Sequence, residues 1–172
     1  MVFIKKAAAV GLILATAACT NPDRFGTSGD GAAAGGAGAT NGAVTPAQDP
    51  TTPVYFAQTV GDRVLFAVDQ WTISPTGQQT LAGQAQWLNA NPEYRVLIEG
   101  HADEQGTKEY NLALGKRRAN SVEEVLVSQG VDPNRIQTTS FGKLKPIASC
   151  ASEECYSQNR RAVTVLSFTG PS

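Results

Sequence analysis

The stretch IEGHADEQGTKEYNLALGKRRANSV, residues 98–122, begins as a strand, passes through a polar turn and becomes a helix. The strand begins at about Tyr94 and is apolar on both faces, which is typical of a strand in the middle of a sheet. The helix is predicted from about Lys108 to Gln129, with Gly130 as its C-terminal stop. Its apolar stripe consists of residues at helical spacing: Leu112, Gly115, Ala119, Val122 and Leu126.

The residues on either side of this stretch supply the other elements of one domain. Residues 62–69, DRVLFAVD, predict a short strand, and Ser74 and Pro75 are the expected N-cap and first residue of another helix. Two further strands are expected, at residues 135–143 and 160–168. The order β-α-β-α-β-β predicts an α/β fold, a two-layer α+β sandwich with two main helices on one face of a small mixed sheet.

The N-terminal third of the chain has a different composition. Residues 1–18 contain two lysines, then a short apolar run and small residues, as in a secretory signal peptide. Cys19 follows directly, as in a bacterial lipobox, in which the thiol is acylated and becomes the first mature residue. The alternative is an ordinary signal peptide followed by an incidental cysteine. The rest of residues 19–53 is rich in Gly, Ala, Thr and Pro, which predicts a flexible tether before a folded domain at residues 54–172.

The charge balance restricts the class of partner. The 172-residue chain has a formal net charge of -1, and removing Lys5 and Lys6 with the signal peptide changes this to -3. An exported, weakly acidic protein is a poor candidate for binding nucleic acid.

Asn111 and Arg118 lie seven residues apart, which places them within about 20° of each other on the predicted helix, at the margin of its apolar stripe. A cation in that position is costly unless an acid meets it. Asp103 lies in the preceding turn, and Arg118 is aimed at that turn because helical side chains lean toward the N-terminus. Such a pair can hold a free amino acid, with Asp103 on the ammonium and Arg118 on the carboxylate. Alternatively, Asp103 and Arg118 bind each other and only fasten the turn to the helix.

Three segments together resemble the OmpA-like peptidoglycan-binding domain: EGHADEQGTKEYNLALGKRRANSV, FGKLKP and QNRRAV. The resemblance covers nearly all of residues 60–168. It implies that the ligand is the meso-diaminopimelate of an uncrosslinked peptidoglycan stem peptide, whose free end is a zwitterion. Carried over by position, Asp103 and Arg118 form the main clamp and Asn111 assists.

The same resemblance implies further contacts, from Asp69 and from one of the two arginines Arg160 and Arg161. Members of the family often show Phe-Asp-x-Asp at the end of the first strand, whereas this chain has an alanine, Ala67, in place of the first acid. Position 67 therefore supplies no carboxylate, and the site is expected to make fewer contacts to the ligand on that side.

Lipidated members of this family also have a lipobox, a tether and a domain in this order. The resemblance implies that a lipid on Cys19 holds the protein in the outer membrane, with the domain facing the periplasm and tied to the cell wall. It further implies TolB and the other components of the Tol-Pal system as partners, a part in cell division, no enzymatic activity and no cofactor.

The sequence leaves two alternative functions. A peptidoglycan-cleaving glycosidase would use Glu99 and Asp103, but it needs two carboxyl groups about 5 to 9.5 Å apart. Four residues of extended strand span about 13 Å, which is too far. The other alternative is a structural lipoprotein whose domain binds only proteins.

The remaining conspicuous residues have simpler expected roles. His101 is the only histidine and has no zinc-like set of neighbours, so a structural role that shapes the turn is expected rather than a metal site. Cys150 and Cys155 lie in one loop of an exported chain and predict a local disulfide. The run KRR, residues 116–118, suggests a phosphate-binding patch or, since two of its members face solvent, only a solvated surface.

Overall fold

The computed structural model describes residues 45–169. The predicted signal peptide, Cys19 and the tether up to residue 44 lie outside the described residues. Residues 45–52, near the end of the predicted tether, form turns against the domain. The Trp87 indole N–H donates to the carbonyl of Pro50 (2.6 Å), and the Tyr94 hydroxyl donates to that of Thr51 (3.1 Å).

The described residues form α-helices and strands in the predicted α/β arrangement, and the predicted fold class is confirmed. A π-helical turn (Phe56–Gly61) and a 3-10 turn (Pro133–Arg135) join some of them. In chain order the elements are α1 (Pro53–Tyr55), β1 (Arg63–Leu65), α2 (Pro75–Ala90), β2 (Tyr94–His101), α3 (Lys108–Ser128), β3 (Ile136–Gly142), α4 (Glu153–Asn159) and β4 (Arg161–Phe168).

The sheet is mixed, with the strand order β1-β4-β2-β3. Strand β4 is antiparallel to both of its neighbours, β1 and β2, whereas β2 and β3 are parallel. Strand β2 is therefore internal, as its apolar content predicted, and Val96 and Ile98 on it are buried.

Helices α2 and α3 supply much of the core. Ser74 caps α2 as predicted, since its hydroxyl accepts from the backbone N–H of Gly77 (3.1 Å). Helix α3 is capped by Thr107 and ends before Gly130, whose φ is +92°. Most of the predicted α3 stripe is buried, but Leu112 is only partly buried and Leu114 is buried as well. The buried face is thus centred nearer to Arg118 than the stripe predicted.

Two predicted elements need correction. Strand β1 has three residues rather than the eight of DRVLFAVD, because the chain turns at Ala67–Gln70, with Asp69 in the left-handed region at φ +56°. The segment between β3 and β4 is not only a loop, since it contains α4. None of the helices in residues 45–169 is long and apolar enough to cross a membrane.

Candidate functional site

The turn between β2 and α3 folds back over the start of α3, as predicted. Its first residue, Ala102, donates its backbone N–H to the carbonyl of Gly142 at the end of β3 (2.9 Å). The Asn111 side chain donates to the carbonyl of Gln105 (2.6 Å) and so ties the turn to the helix. Gly106 has a φ of +86°, which permits the reversal.

A cavity of about 250 Å³ opens between this turn, the Ala67–Gln70 turn and α3. Three of the predicted site residues line it, namely Asp69, Asp103 and Asn111. The other lining residues are Val68, Gln105, Gly106, Tyr110 and Leu114. Two carboxylates and a carboxamide therefore face one space from two turns and a helix.

Arg118 lies on the same face of α3 as Asn111 and Leu114 and is fully buried, with 0% of its surface exposed. This corrects the predicted position at the margin of the apolar face. Its guanidinium donates to three backbone carbonyls: Nε to Gln70 (2.8 Å), Nη1 to His101 (2.8 Å) and Nη2 to Ala67 (3.1 Å). A guanidinium has five N–H groups, so one remains on each Nη atom.

Burial lowers the pKa of Arg118 to about 10, and the negative charge of Asp103 opposes this shift. Arg118 still carries its proton at neutral pH. Within the described part of the chain, Arg118 has no ion-pair partner within 4 Å. The alternative in which Arg118 and Asp103 bond to each other is therefore not the observed arrangement.

The partner of Asp103 is Arg160, whose Nη1 lies 3.2 Å from Oδ2. Asp103 Oδ1 also accepts from the backbone N–H of Gln105 (3.2 Å). Arg161 turns elsewhere and donates to the carbonyls of Asn159 (3.3 Å) and Lys145 (3.2 Å). Of the two arginines left open by the sequence, Arg160 is the one that meets the cavity carboxylate.

Asp69 is held by Tyr110, whose hydroxyl donates to the Asp69 carboxylate across the edge of the cavity. This hydrogen bond raises the pKa of the Tyr110 phenol, because only the neutral phenol can donate it. Sequence reasoning missed Tyr110. Its position directly before Asn111, in the first turn of the same helix, could have indicated that it lies beside the site.

The imidazole ring of His101 is buried and makes packing contacts instead of hydrogen bonds. The side chain is 1% exposed, and neither ring nitrogen has a hydrogen-bond partner among the described residues. The ring stacks on Phe141 with centroids 5.6 Å apart. The residue shapes the site through its backbone carbonyl, which accepts from Arg118. In residues 45–169 no group of three or more His, Cys, Asp or Glu side chains is placed to hold a metal ion.

Cys150 and Cys155 are joined in a disulfide, with their Cα atoms 5.6 Å apart. Cys155 lies on α4, so the bond links this helix to the preceding loop.

Residues 65–160, which contain every cavity residue, match the OmpA family. The chain belongs to the OmpA family. This OmpA-family chain is 47% identical over 162 residues to the peptidoglycan-associated lipoprotein of Agrobacterium fabrum, and the match covers 94% of this chain and 87% of that relative. The protein of the same name from Haemophilus influenzae is 38% identical over 94% of this chain and 96% of its own length. The predicted family is confirmed.

Solved structures agree with this assignment. The crystal structure of the peptidoglycan-associated lipoprotein from Burkholderia pseudomallei superimposes with a TM-score of 0.63 at 38% identity, covering 71% of this chain and 99% of that one. The C-terminal domain of Helicobacter pylori MotB has a TM-score of 0.59 at 23% identity, covering 63% of this chain and 86% of that one. The likeness to MotB shows a shared fold only.

Proposed function

We propose that this chain is an outer-membrane lipoprotein that binds peptidoglycan non-covalently through the meso-diaminopimelate of the stem peptide. The observation that carries the proposal is the cavity that Asp69, Asp103 and Asn111 line together, with the buried cation Arg118 on the same helix face. The relative from Agrobacterium fabrum, named peptidoglycan-associated lipoprotein and 47% identical over 94% of this chain, supports the ligand class.

The free end of diaminopimelate carries one ammonium and one carboxylate on the same carbon. Asp103, assisted by Asp69, binds the ammonium, since both carboxylates face the cavity. Arg118 is fully buried and does not line the cavity, so the Ala67–Gln70 turn that covers it has to move when the ligand binds. The two N–H groups of Arg118 that are not bound to backbone carbonyls then receive the ligand carboxylate as a fork. Asn111, whose amide already fixes the turn, directs its oxygen to the ligand.

One small zwitterion offers little contact area, so each site is weak to moderate. Acylation of Cys19 holds many copies of the protein in the same membrane, and the wall offers many identical stem peptides. Many weak contacts therefore form at once, and this multivalency ties the outer membrane to the wall. The part of the predicted tether that precedes the turns of residues 45–52, residues 20–44, acts as the tether. TolB and the other Tol-Pal components are the protein partners, and the assembly serves envelope integrity and cell division.

The proposal includes no enzymatic activity. Glu99, the second carboxylate that a glycosidase would need, belongs to β2 and pairs with strands on both sides. It is absent from the lining of the cavity that holds Asp103. Glu99 and Asp103 therefore do not flank one bond in this cavity, as the predicted glycosidase would require.

The test uses the soluble chain from residue 20, which lacks the lipid, sedimented with isolated sacculi. Asp103→Asn is the primary variant because it removes the charge and keeps the shape. Arg118→Ala is secondary, since Arg118 also satisfies three buried carbonyls and its loss affects folding. Glu124→Gln, on the exposed face of α3, is the matched control.

We expect binding to be lost in the Asp103 variant and kept in the control, with no soluble fragments released. Sacculi whose stems carry lysine in place of diaminopimelate provide a second control, because lysine lacks the carboxylate for Arg118. Equal sedimentation of the wild type with both kinds of sacculi contradicts the ligand assignment. Release of soluble muropeptides would indicate a peptidoglycan-cleaving enzyme. Undiminished binding by a folded Asp103→Asn variant would show that Asp103 does not hold the ligand.

A further inference from the structure

One guanidinium connects the cavity to a carboxylate outside it. Arg160 donates through Nη1 to Asp103 (3.2 Å) and to Glu153 (3.2 Å), and Glu153 also accepts from Nη2. Glu153 does not line the cavity, and its side chain is 67% exposed. It therefore reaches the cavity only through Arg160.

Arg160 has little freedom to change its position. It is 4% exposed, and its Nε donates to the carbonyl of Phe66 (3.2 Å). Its backbone is bonded at both groups, since the N–H donates to Tyr156 (3.0 Å) and the carbonyl accepts from the N–H of Phe66 (2.9 Å). A change at Glu153 consequently alters the charge around a fixed guanidinium rather than its location.

Charge decides what this arrangement does at the cavity. Asp103 and Glu153 share the single positive charge of Arg160, so the trio carries one net negative charge. Without Glu153, Arg160 and Asp103 cancel, and the guanidinium competes with any ammonium for the Asp103 oxygens. An ammonium in the cavity is therefore attracted more strongly when Glu153 is ionised.

The place of Glu153 depends on α4, a helix of seven residues that is too short to be stable alone. The disulfide fixes α4 to the preceding loop at Cys155. The buried Asn159 fixes its other end, because it donates to Glu104 Oε1 (2.7 Å) and accepts from the backbone N–H of Ile147 (2.8 Å). Both ties hold Glu153 against Arg160.

We propose that Glu153 is a positioning residue of the stem-peptide site, which offsets the charge of Arg160 so that Asp103 remains available to the ligand ammonium. This inference rests on the proposed function. It assigns to α4, outside the cavity, a part in selecting a ligand end that carries an ammonium.

The test is calorimetric titration of the chain from residue 20 with two peptides. One is a tripeptide that ends in meso-diaminopimelate, and the other ends in 2-aminopimelate, which keeps the terminal carboxylate and lacks the terminal ammonium. Glu153→Gln is compared with Glu154→Gln, the adjacent exposed acid, whose carboxylate makes no hydrogen bond among the described residues. Circular dichroism and urea unfolding establish that both variants fold.

We expect Glu153→Gln to weaken binding of the diaminopimelate peptide by about fivefold, as for an exposed charge pair, with Glu154→Gln unchanged. Binding of the 2-aminopimelate peptide should be the same in both variants. Equal weakening for both peptides indicates a merely structural role and overturns the inference, as does wild-type affinity in Glu153→Gln. A wild type that fails to bind the diaminopimelate peptide overturns the proposed function itself.

Discussion

Gly100 on β2 and Gly115 on α3 face each other with no side chain between them. A Cβ at Gly115 would lie 2.8 Å from the carbonyl oxygen of Gly100, and a Cβ at Gly100 would overlap the carbonyl of Gly115. Bare backbone at both positions lets α3 lie closer to the sheet than side chains permit. Asn111 and Arg118, about one turn to either side of Gly115, are thereby brought against the turn that carries Asp103.

Gly115→Ala is therefore expected to lower the free energy of unfolding by about 3 kcal/mol, because neither the strand backbone nor the Ser140 side chain beside it has room for a methyl group. Urea unfolding measures the change. Gly83→Ala is the matched control, since it lies inside α2 and its Cβ would meet only a Val60 methyl group, at 3.4 Å. That control should gain up to about 1 kcal/mol from helix propensity. Equal stability of the two variants contradicts the close approach.

The elements that could be predicted from the sequence are those fixed by local pattern. Strand β2 and helix α3 follow from apolar content and helical spacing, and the Ser74 cap follows from residue type. The early end of β1 could not be predicted, because the turn at Ala67 is held by Arg118, which lies 51 positions further along the chain. Helix α4 was missed because it is short and has no apolar stripe.

The candidate site was predictable to the same extent. Asp103 and Asn111 lie within one strand-turn-helix unit, so their common cavity follows from local geometry. The choice between Arg160 and Arg161 does not follow from local geometry. Neighbouring residues at the start of a strand point in opposite directions, and only the packing decides which one faces the site. The link from Asp103 to Arg160 spans 57 positions, beyond any local pattern.

Tyr110→Phe should tighten binding of diaminopimelate peptides. The Tyr110 hydroxyl occupies the Asp69 carboxylate, and its removal frees that carboxylate for the ligand ammonium while keeping the ring. We expect a gain of up to about fivefold, the size of one typical exposed hydrogen bond of about 1 kcal/mol, measured by calorimetry. Tyr55→Phe, away from the cavity, is the control and should bind as the wild type does. Weaker binding by Tyr110→Phe would mean that the hydroxyl contacts the ligand directly.

His101 should make the fold sensitive to mild acid. Burial and the nearby charges of Arg161 and Lys145 lower its pKa to about 4, whereas an unfolded histidine titrates near 6.5. Between these pKa values the unfolded state binds more protons than the folded state. The contribution of His101 to the free energy of unfolding is therefore fully present above about pH 6.5 and is lost as the pH drops toward 4. The expected loss is up to about 3 kcal/mol.

Urea unfolding of the wild type and of His101→Gln at pH 7 and pH 4.5 measures this contribution. Carboxylates with lowered pKa, such as Glu153, affect both proteins alike, so the difference between the two slopes belongs to His101. Parallel loss of stability in the two proteins would show that this imidazole does not couple folding to pH.

Removing the Cys150–Cys155 disulfide should weaken both the fold and the site. The bond closes a loop with a sequence separation of 5, for which the chain-entropy model gives about 2 kcal/mol. Because α4 is too short to persist without this tie, Glu153 should also lose its contact with Arg160.

A double Cys150→Ser, Cys155→Ser variant of the chain from residue 20 is therefore expected to unfold at lower urea and to bind the diaminopimelate peptide as weakly as Glu153→Gln. Treating the wild-type chain from residue 20 with a thiol reductant should reproduce both effects, since Cys150 and Cys155 are its only cysteines. Reduced stability with undiminished binding would separate the two roles and show that α4 holds its position without the bond.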